Sequence, residues 1–229
     1  MAVSEPLDAK YYQVIAPRSL GERLLILARD RIYADFIRHC RPGRDDTILD
    51  VGVSDYISDG ANMLERKYPH RSRITAAGLG QADEFRAAFP DVDYVRIERG
   101  RPLPFADKAF DIATSNAVLE HVGSRDGQFR FVAELVRVAR KVFVSVPNRY
   151  FPVEHHTAIP LLHFNDRAFA FACGFLGKAE WAEQRNLILM SIDRLQSLFP
   201  PGAVAGRSGL PLGKFSSNLF VFFDDRRAH

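Results

Sequence analysis

Four stretches of the chain carry the side chains most able to do chemistry. The first is LDVGVSDYISDG (49–60), where Asp50 ends an apolar run and Gly52, Ser54 and Asp55 follow. A glycine there lets a ligand approach the backbone, and a helix starting soon after favours an anionic group. Ser54 stands where G-x-G-x-x-G needs its second glycine, so the dinucleotide fingerprint is incomplete. A plain strand-to-helix turn is the alternative. The second stretch, RPLPFADKAFDIATSNAVLEHVGS (101–124), contains Ser115, Asn116, Glu120 and His121. An imidazole titrating near 6.5 can accept a proton at neutral pH, which makes His121 a base candidate. It can equally line a binding site or begin the next helix. The third stretch, PNRYFPVEHHTAIPLLHF (147–164), holds Asn148, Arg149, Glu154, His155, His156 and His163. Three imidazoles and a carboxylate are a possible metal set. Adjacent histidines in extended chain point opposite ways and His163 sits in an apolar run, so no metal site is assigned. The fourth is the Phe-rich AFAFACGFLG (168–177). Phe164, Phe169, Phe171 and Phe175 read as packing under a cap, or as an apolar pocket or patch facing an acceptor, lipid or a second subunit.

The elements that position these residues follow from periodicity. Residues 19–40 read as an amphipathic helix bearing Leu20, Leu24, Leu27, Ile32 and Phe36, ending near Pro42-Gly43. Strands are expected at 47–52, 73–78, 92–97, 110–116 and 141–147, with helices at 61–69, 81–90 and 127–140. The last helix is expected to bury Phe129, Val132, Leu135, Val136 and Ala139. Strand and helix thus alternate from 47 to 147, which predicts an α/β fold with a doubly wound, mostly parallel sheet. Ligands in such sheets bind outside the carboxyl ends of the strands. Those ends are Asp50–Gly52, Gly78–Gly80, Ile97-Glu98, Ser115-Asn116 and Pro147–Arg149. After 150 the rhythm breaks. The expected organisation is one domain over 1–229: a helical cap (1–45), a cofactor-binding core (46–150), a helical lid (151–200) and C-terminal strands (201–229). The runs AVAGRSG and NLFVFF within that last part are expected to return as an antiparallel pair at the sheet edge.

Composition narrows the function classes. The chain has 229 residues, 47% hydrophobic and 26% charged, which suits a globular protein with a real core. The net charge of +3 and scattered arginines do not point to nucleic acid. Cys40 and Cys173 fit neither zinc nor redox spacing and read as thiols in a reducing, cytoplasmic setting. The start MAVSEPLDAK does not read as a signal peptide, and no apolar run reaches the roughly 20 residues of a membrane span. His39, His70 and His229 read as surface or terminal residues.

The second stretch resembles the small-molecule, type 11/23-like branch of class I S-adenosylmethionine-dependent methyltransferases. The resemblance rests on Leu103-Pro104-Phe105, Asp107, Phe110-Asp111, Ser115, Glu120 and His121. Asp50 and Gly52 then match the family's D-x-G-x-G-x-G loop, with Ser54 and Tyr56 in place of later glycines. The P-N-R-aromatic-F-P run from Pro147 is similar to a bacterial subgroup in which that segment leads into a helical lid. The resemblance spans roughly residues 40–222 and implies a Rossmann-like fold and S-adenosylmethionine as cofactor. It implies cofactor contacts from Asp50, Gly52, Ser54, Asp55, Gly80, Gln81, Glu98, Ser115 and Asn116, with Asp59 and Asp83 as further ribose candidates. It places Asn148, Arg149, Glu154 and His156 on the acceptor side and His121 as base. The implied acceptor is a small or glycan- or lipid-linked molecule, methylated at oxygen, and a homodimer is plausible from the Phe-rich lid. The rivals are a methyltransferase-like binding or scaffold protein with a degenerate loop, a nicotinamide-dependent oxidoreductase, and a nucleic-acid methyltransferase. The last lacks a basic groove and an N-P-P-aromatic motif at Asn116.

Overall fold

The computed structural model describes residues 20–57 and 60–227. It contains a seven-stranded sheet: β1 (Ile48–Val51), β2 (Ile74–Gly78), β3 (Asp93–Arg96), β4 (Phe110–Asn116), β5 (Ala139–Pro147), β6 (Val204–Leu212) and β7 (Phe215–Asp224). The order is β3-β2-β1-β4-β5-β7-β6, parallel through β5 and antiparallel from there. The sheet is therefore the α/β Rossmann-like architecture that the alternation predicts. The C-terminal pair is antiparallel as expected. β7, the more apolar strand, takes the inner place beside β5, and β6 forms the edge. Strand order reverses direction between β1 and β4, and a crevice opens there at the carboxyl ends.

Buried residues on both faces hold the sheet. One side packs Leu49, Val51, Ala113, Val142 and Val144 against α4 (Arg125–Val138) through Val132, Leu135 and Val138. The other packs Ile48, Ile112 and Phe143 against Ile32 and Phe36 of α1 (Leu20–Cys40). Two short helices, α2 (Met63–Lys67) and α3 (Asp83–Ala88), complete that side. In β4, Ser115 is buried and its hydroxyl donates to the Val51 carbonyl at 2.8 Å, tying β4 to β1 beside the crevice. Such a buried bond contributes about 1 kcal/mol.

Two expectations about helix faces need correction. α4 begins at Arg125, where Ser124 accepts the Gly127 N–H as N-cap, and it ends at Val138. Ala139 and Arg140 start β5 instead. Phe129 then turns outward, 39% exposed under the Arg125 guanidinium, and Val138 takes the core position. In α1, Leu24 and Leu27 are 43% and 46% exposed, unlike Ile32 and Phe36. Leu24, Leu25 and Ala28 form part of the crevice wall, so this end of α1 roofs a ligand space rather than the core.

Residues after β5 form a cap. Val153 and Pro160 bridge to close a tight loop, followed by α5 (Asp166–Phe175) and α6 (Ile192–Gln196). Ile159, Phe169, Cys173, Trp181 and Leu187 make a separate small core beneath it. Phe171 and Phe175 point away from that core and are exposed. His39, read as a surface residue, is half-buried and packs on Phe220 and Phe222 of β7. Asp59 and His229 lie outside the described residues, as does the start of the chain. Among the described residues no helix is long and apolar enough to cross a membrane.

Candidate active site

A cleft of about 1030 Å³ opens at the crevice between β1 and β4. That is at the upper end of small-molecule cavities. The loops after β1, β2 and β3 form one wall, through Gly52, Val53, Gly78, Leu79, Ile97 and Glu98. The opposite wall comes from the turn after β4 and the cap loop after β5, through Val118, His121, Glu154, His155 and His156.

The first loop is built without the later glycines. Gly52 has φ +99°, and a Cβ there would lie 2.2 Å from Val118 Cγ2, so this position does require glycine. Ser54 and Tyr56 do not sit at positive φ. Asn62 does, at φ 50°, and its side-chain amide clasps the loop. Its Oδ1 accepts the Ser54 N–H at 2.9 Å and its Nδ2 donates to the Ser54 carbonyl at 2.9 Å. The Ser54 hydroxyl in turn accepts the Tyr56 N–H at 3.0 Å. Ser54 thus shapes the loop from a buried place, while Asp55 is half-buried beside it.

Beneath this loop Asp50 and Glu65 are both buried. Burial lifts the Asp50 carboxyl to about 7, and burial together with the Asp50 charge raises Glu65 well above the usual carboxylate range. Arg29 of α1 lines the cleft, and its charge bears on Asp50, Glu120 and His155. Neither Glu65 nor Arg29 stands out in the sequence. The available signal for Glu65 is an acidic residue flanked by Met63 and Leu64 in an otherwise buried helical turn.

The remaining positions on this side fall into two groups. Glu98 is on the wall and exposed, next to Ile97. Gly80 and Gln81 stand off the wall: the Gly80 carbonyl accepts the Tyr94 hydroxyl at 3.0 Å, and Gln81 is exposed. Ser115 is committed to β1, and Asn116 Oδ1 accepts the Ser145 hydroxyl across the β4–β5 pair. Size, location at the switch point, the Gly52 turn and Glu98 fit S-adenosylmethionine. The ribose side offers no carboxylate at the end of β2.

The opposite wall concentrates polar groups. A short turn, Leu119–His121, follows β4 and is held from three directions. Gln128 of α4 donates to the Leu119 carbonyl at 3.0 Å, the Glu120 carbonyl accepts the Ile188 N–H at 2.8 Å, and Arg99 donates to the His121 carbonyl. His121 Nδ1 donates to the Asn186 carbonyl at 2.7 Å, which fixes its tautomer. Its Nε2 lies 3.1 Å from Nε2 of His156. His156 Nδ1 donates to Glu154 at 2.9 Å, and Trp181 lies against the His156 ring with centroids 5.2 Å apart. Glu154 also accepts the backbone N–H groups of His156 and Thr157 and the Thr157 hydroxyl. Glu154 is therefore a holder of His156 more than an open acceptor contact.

Electrostatics sharpen the pattern. Burial alone would raise Glu154, but the His156 bond and charge and the Thr157 bonds hold it well below the usual carboxylate range. Burial would lower His156, yet the Glu154 bond and charge raise it. Burial and then the His156 charge push His121 down to about 3. Burial lifts Glu120 to about 7. Asn148 and Arg149 are structural on the cap side. Asn148 donates to the Ser216 carbonyl, and Arg149 reaches the His163 and Phe164 carbonyls and Asp166. His163 is buried with Nε2 on the Phe151 carbonyl at 2.7 Å, and His155 packs on Phe151. Glu154, His155, His156 and His163 line one small cavity, but their ring and carboxylate donors do not gather as a ligand set among the described residues. The set that does converge is Glu120, His121 and His156.

Residues 62–142 match a family model described as a methyltransferase domain. Solved structures share the fold over most of the chain. A SAM-dependent methyltransferase from Aquifex aeolicus is 14% identical, with 88% of this chain and 91% of that one covered at a TM-score of 0.50. One from Mesorhizobium loti is 16% identical, covering 83% and 96%, at 0.53. A Rhodobacter sphaeroides structure provisionally described as a Zn-dependent alcohol dehydrogenase is 12% identical, covering 89% and 96%, at 0.53. The fold is that of the Rossmann-like methyltransferases. At such identities structural likeness shows the fold alone, and the methyltransferase-domain match is confined to residues 62–142. No curated protein matches the chain. The matched stretch begins after Gly52 and stops before the cap, so it leaves out the Ser54–Asn62 loop start and the His156 side of the cleft.

Proposed function

We propose that the protein transfers a methyl group from S-adenosylmethionine to an oxygen of a small or carrier-linked acceptor. The observation that carries this reading is the cleft at the β1/β4 switch point, with a methyltransferase-domain match along its sheet and a histidine pair on its far wall. Gly52 and the loop held by Asn62 take the amino-acid end of the cofactor, over Asp50. Ile97 and Glu98 take the adenine end. Asn148, Arg149, Glu154 and His156 shape the acceptor side, the first two by fixing the cap.

S-adenosylmethionine supplies an electrophilic methyl group on a sulfonium. Held there, it would supply that methyl to an acceptor oxygen placed opposite by the cap loop, the sulfur keeping the bonding pair. Positioning provides most of the rate in such an in-line displacement. His121 is the base for the acceptor proton. Because its Nε2 faces His156 Nε2, proton acceptance is a property of the pair, with Glu154 stabilising the cation that results. Leu24 and Leu25 of α1 line the cleft with apolar surface.

The test is to incubate the protein with methyl-labelled S-adenosylmethionine and separate pools of small, glycan-linked and lipid-linked molecules. Label is expected in one pool, in a product heavier by one methylene. Absence of label from every pool, with protein that binds the cofactor, overturns the reading.

A further inference from the structure

We infer that His121, His156 and Glu120 form a site for one divalent first-row transition-metal ion at the acceptor end of the cleft. Each imidazole has its Nδ1 committed to a fixed acceptor, Asn186 or Glu154, so each presents Nε2 to the same point. The two Nε2 atoms are 3.1 Å apart. Adjacent donors at about 2.1 Å from one ion are roughly 3.0–3.4 Å apart, so the pair already has the spacing of two cis ligands.

Glu120 supplies the independent observation. It is only 1% exposed, and neither carboxylate oxygen has a hydrogen-bond partner among the described residues. A buried carboxylate without a donor is costly and rare. Its oxygen lies 4.0 Å from His121 Nε2, and the three donor atoms are all within 4.8 Å of one another. A small cavity of about 10 Å³ adjoins Glu120, and His155 and His163, which also line it, each have a buried ring nitrogen without a partner among the described residues. A proton shared between the imidazoles would explain their contact and place a positive charge near Glu120, but would give its carboxylate oxygens no direct partner. An ion explains both, and the carboxylates of Glu120 and Glu154 balance its double charge.

Two imidazoles and one carboxylate suit Mn²⁺, Fe²⁺, Co²⁺ or Zn²⁺ and leave coordination positions open. His121 and His156 reach the ion from the cleft wall and Glu120 from behind, so the open positions face the cleft. They would anchor an oxygen of the acceptor and make its hydroxyl a stronger acid. With both Nε2 atoms on the ion the imidazole pair no longer serves as base, and the ion-held hydroxyl would release its proton to water in the cleft. Asn186 and Glu154 orient the rings as outer-shell partners. The ion's role in methyl transfer rests on the proposed function; the binding site does not.

The test uses the full chain, stripped with a chelator and titrated with Co²⁺, then Zn²⁺. One equivalent of Co²⁺ with a visible spectrum of nitrogen and oxygen ligation is expected, displaced by Zn²⁺. His156→Ala should abolish stoichiometric binding, and Glu120→Gln, which removes a buried charge and should keep the fold, should weaken it at least tenfold. Glu154→Gln should weaken it about 10–100-fold. No Co²⁺ spectrum from folded wild-type chain, or binding unchanged in Glu120→Gln and His156→Ala, overturns the inference. A separate S-adenosylmethionine titration of stripped protein distinguishes the two readings. Cofactor binding without ion binding rejects the metal site alone, and the reverse rejects the proposed activity alone.

Discussion

The two walls of the cleft are built on opposite plans. On the cofactor wall, polar side chains are spent on shaping the backbone: Ser54 and Asn62 clasp each other, Ser115 ties β4 to β1, and Tyr94 holds Gly80. What faces the cleft there is mostly glycine and aliphatic surface, with Glu98 at one end. On the opposite wall, titratable groups are gathered in one place, each ring fixed from behind and Glu120 left buried beneath. The first wall can recognise by shape and backbone approach. The second holds groups whose ionisation is strained by burial, which is where chemistry is concentrated in a site. The contrast teaches that loss of loop glycines and retention of a reactive cluster are separate matters in this fold.

Breaking the second wall should cost the most. His156→Ala leaves the Glu154 carboxylate buried without its cation, and a stability loss of about 3–5 kcal/mol is expected by chemical denaturation. An unchanged midpoint would mean that Glu154 does not depend on His156. Gly52→Ala on the first wall forces a Cβ into the left-handed region and against Val118. The strain should cost about 1–3 kcal/mol and weaken cofactor binding in a titration of the folded variant. Glu98→Ala should leave stability unchanged and weaken cofactor binding about tenfold, the loss of one hydrogen bond to a charged group. An equal loss of stability would show that Glu98 belongs to the fold and not to the site.

A smaller effect is expected under the first loop. Asp50 and Glu65 have folded pKa values raised above their unfolded ones. Their contribution to stability is present below about pH 4 and is lost as pH rises through about 7 and beyond. Glu65→Gln should narrow the difference in melting temperature between pH 5 and pH 8, and an unchanged difference would argue against a buried, protonated pair. Last, Phe171→Ser and Phe175→Ser should shift stability by no more than about 0.5 kcal/mol, since both rings are exposed.

The sheet was legible because parallel strands announce themselves: ILDV, ITAAG and KVFVSV are apolar runs punctuated by helices and turns. Helix edges were less so. Phe129 looked internal until Ser124 set the N-cap and Arg125 covered the ring. On the first wall, Asn62 replaces glycine chemistry through a side-chain clasp that no spacing rule encodes. On the second, His121 and His156 come from different loops 35 residues apart. Their meeting depends on the cap returning through Asn186–Met190, whose backbone binds both loops.

The most direct test of the account is a calorimetric titration of the folded chain with S-adenosylmethionine and S-adenosylhomocysteine, with NAD as control. Micromolar binding of the sulfur ligands, weakened by Glu98→Ala and not matched by NAD, is the predicted result. No heat of binding at millimolar sulfur ligand, or binding of NAD in their place, would contradict it.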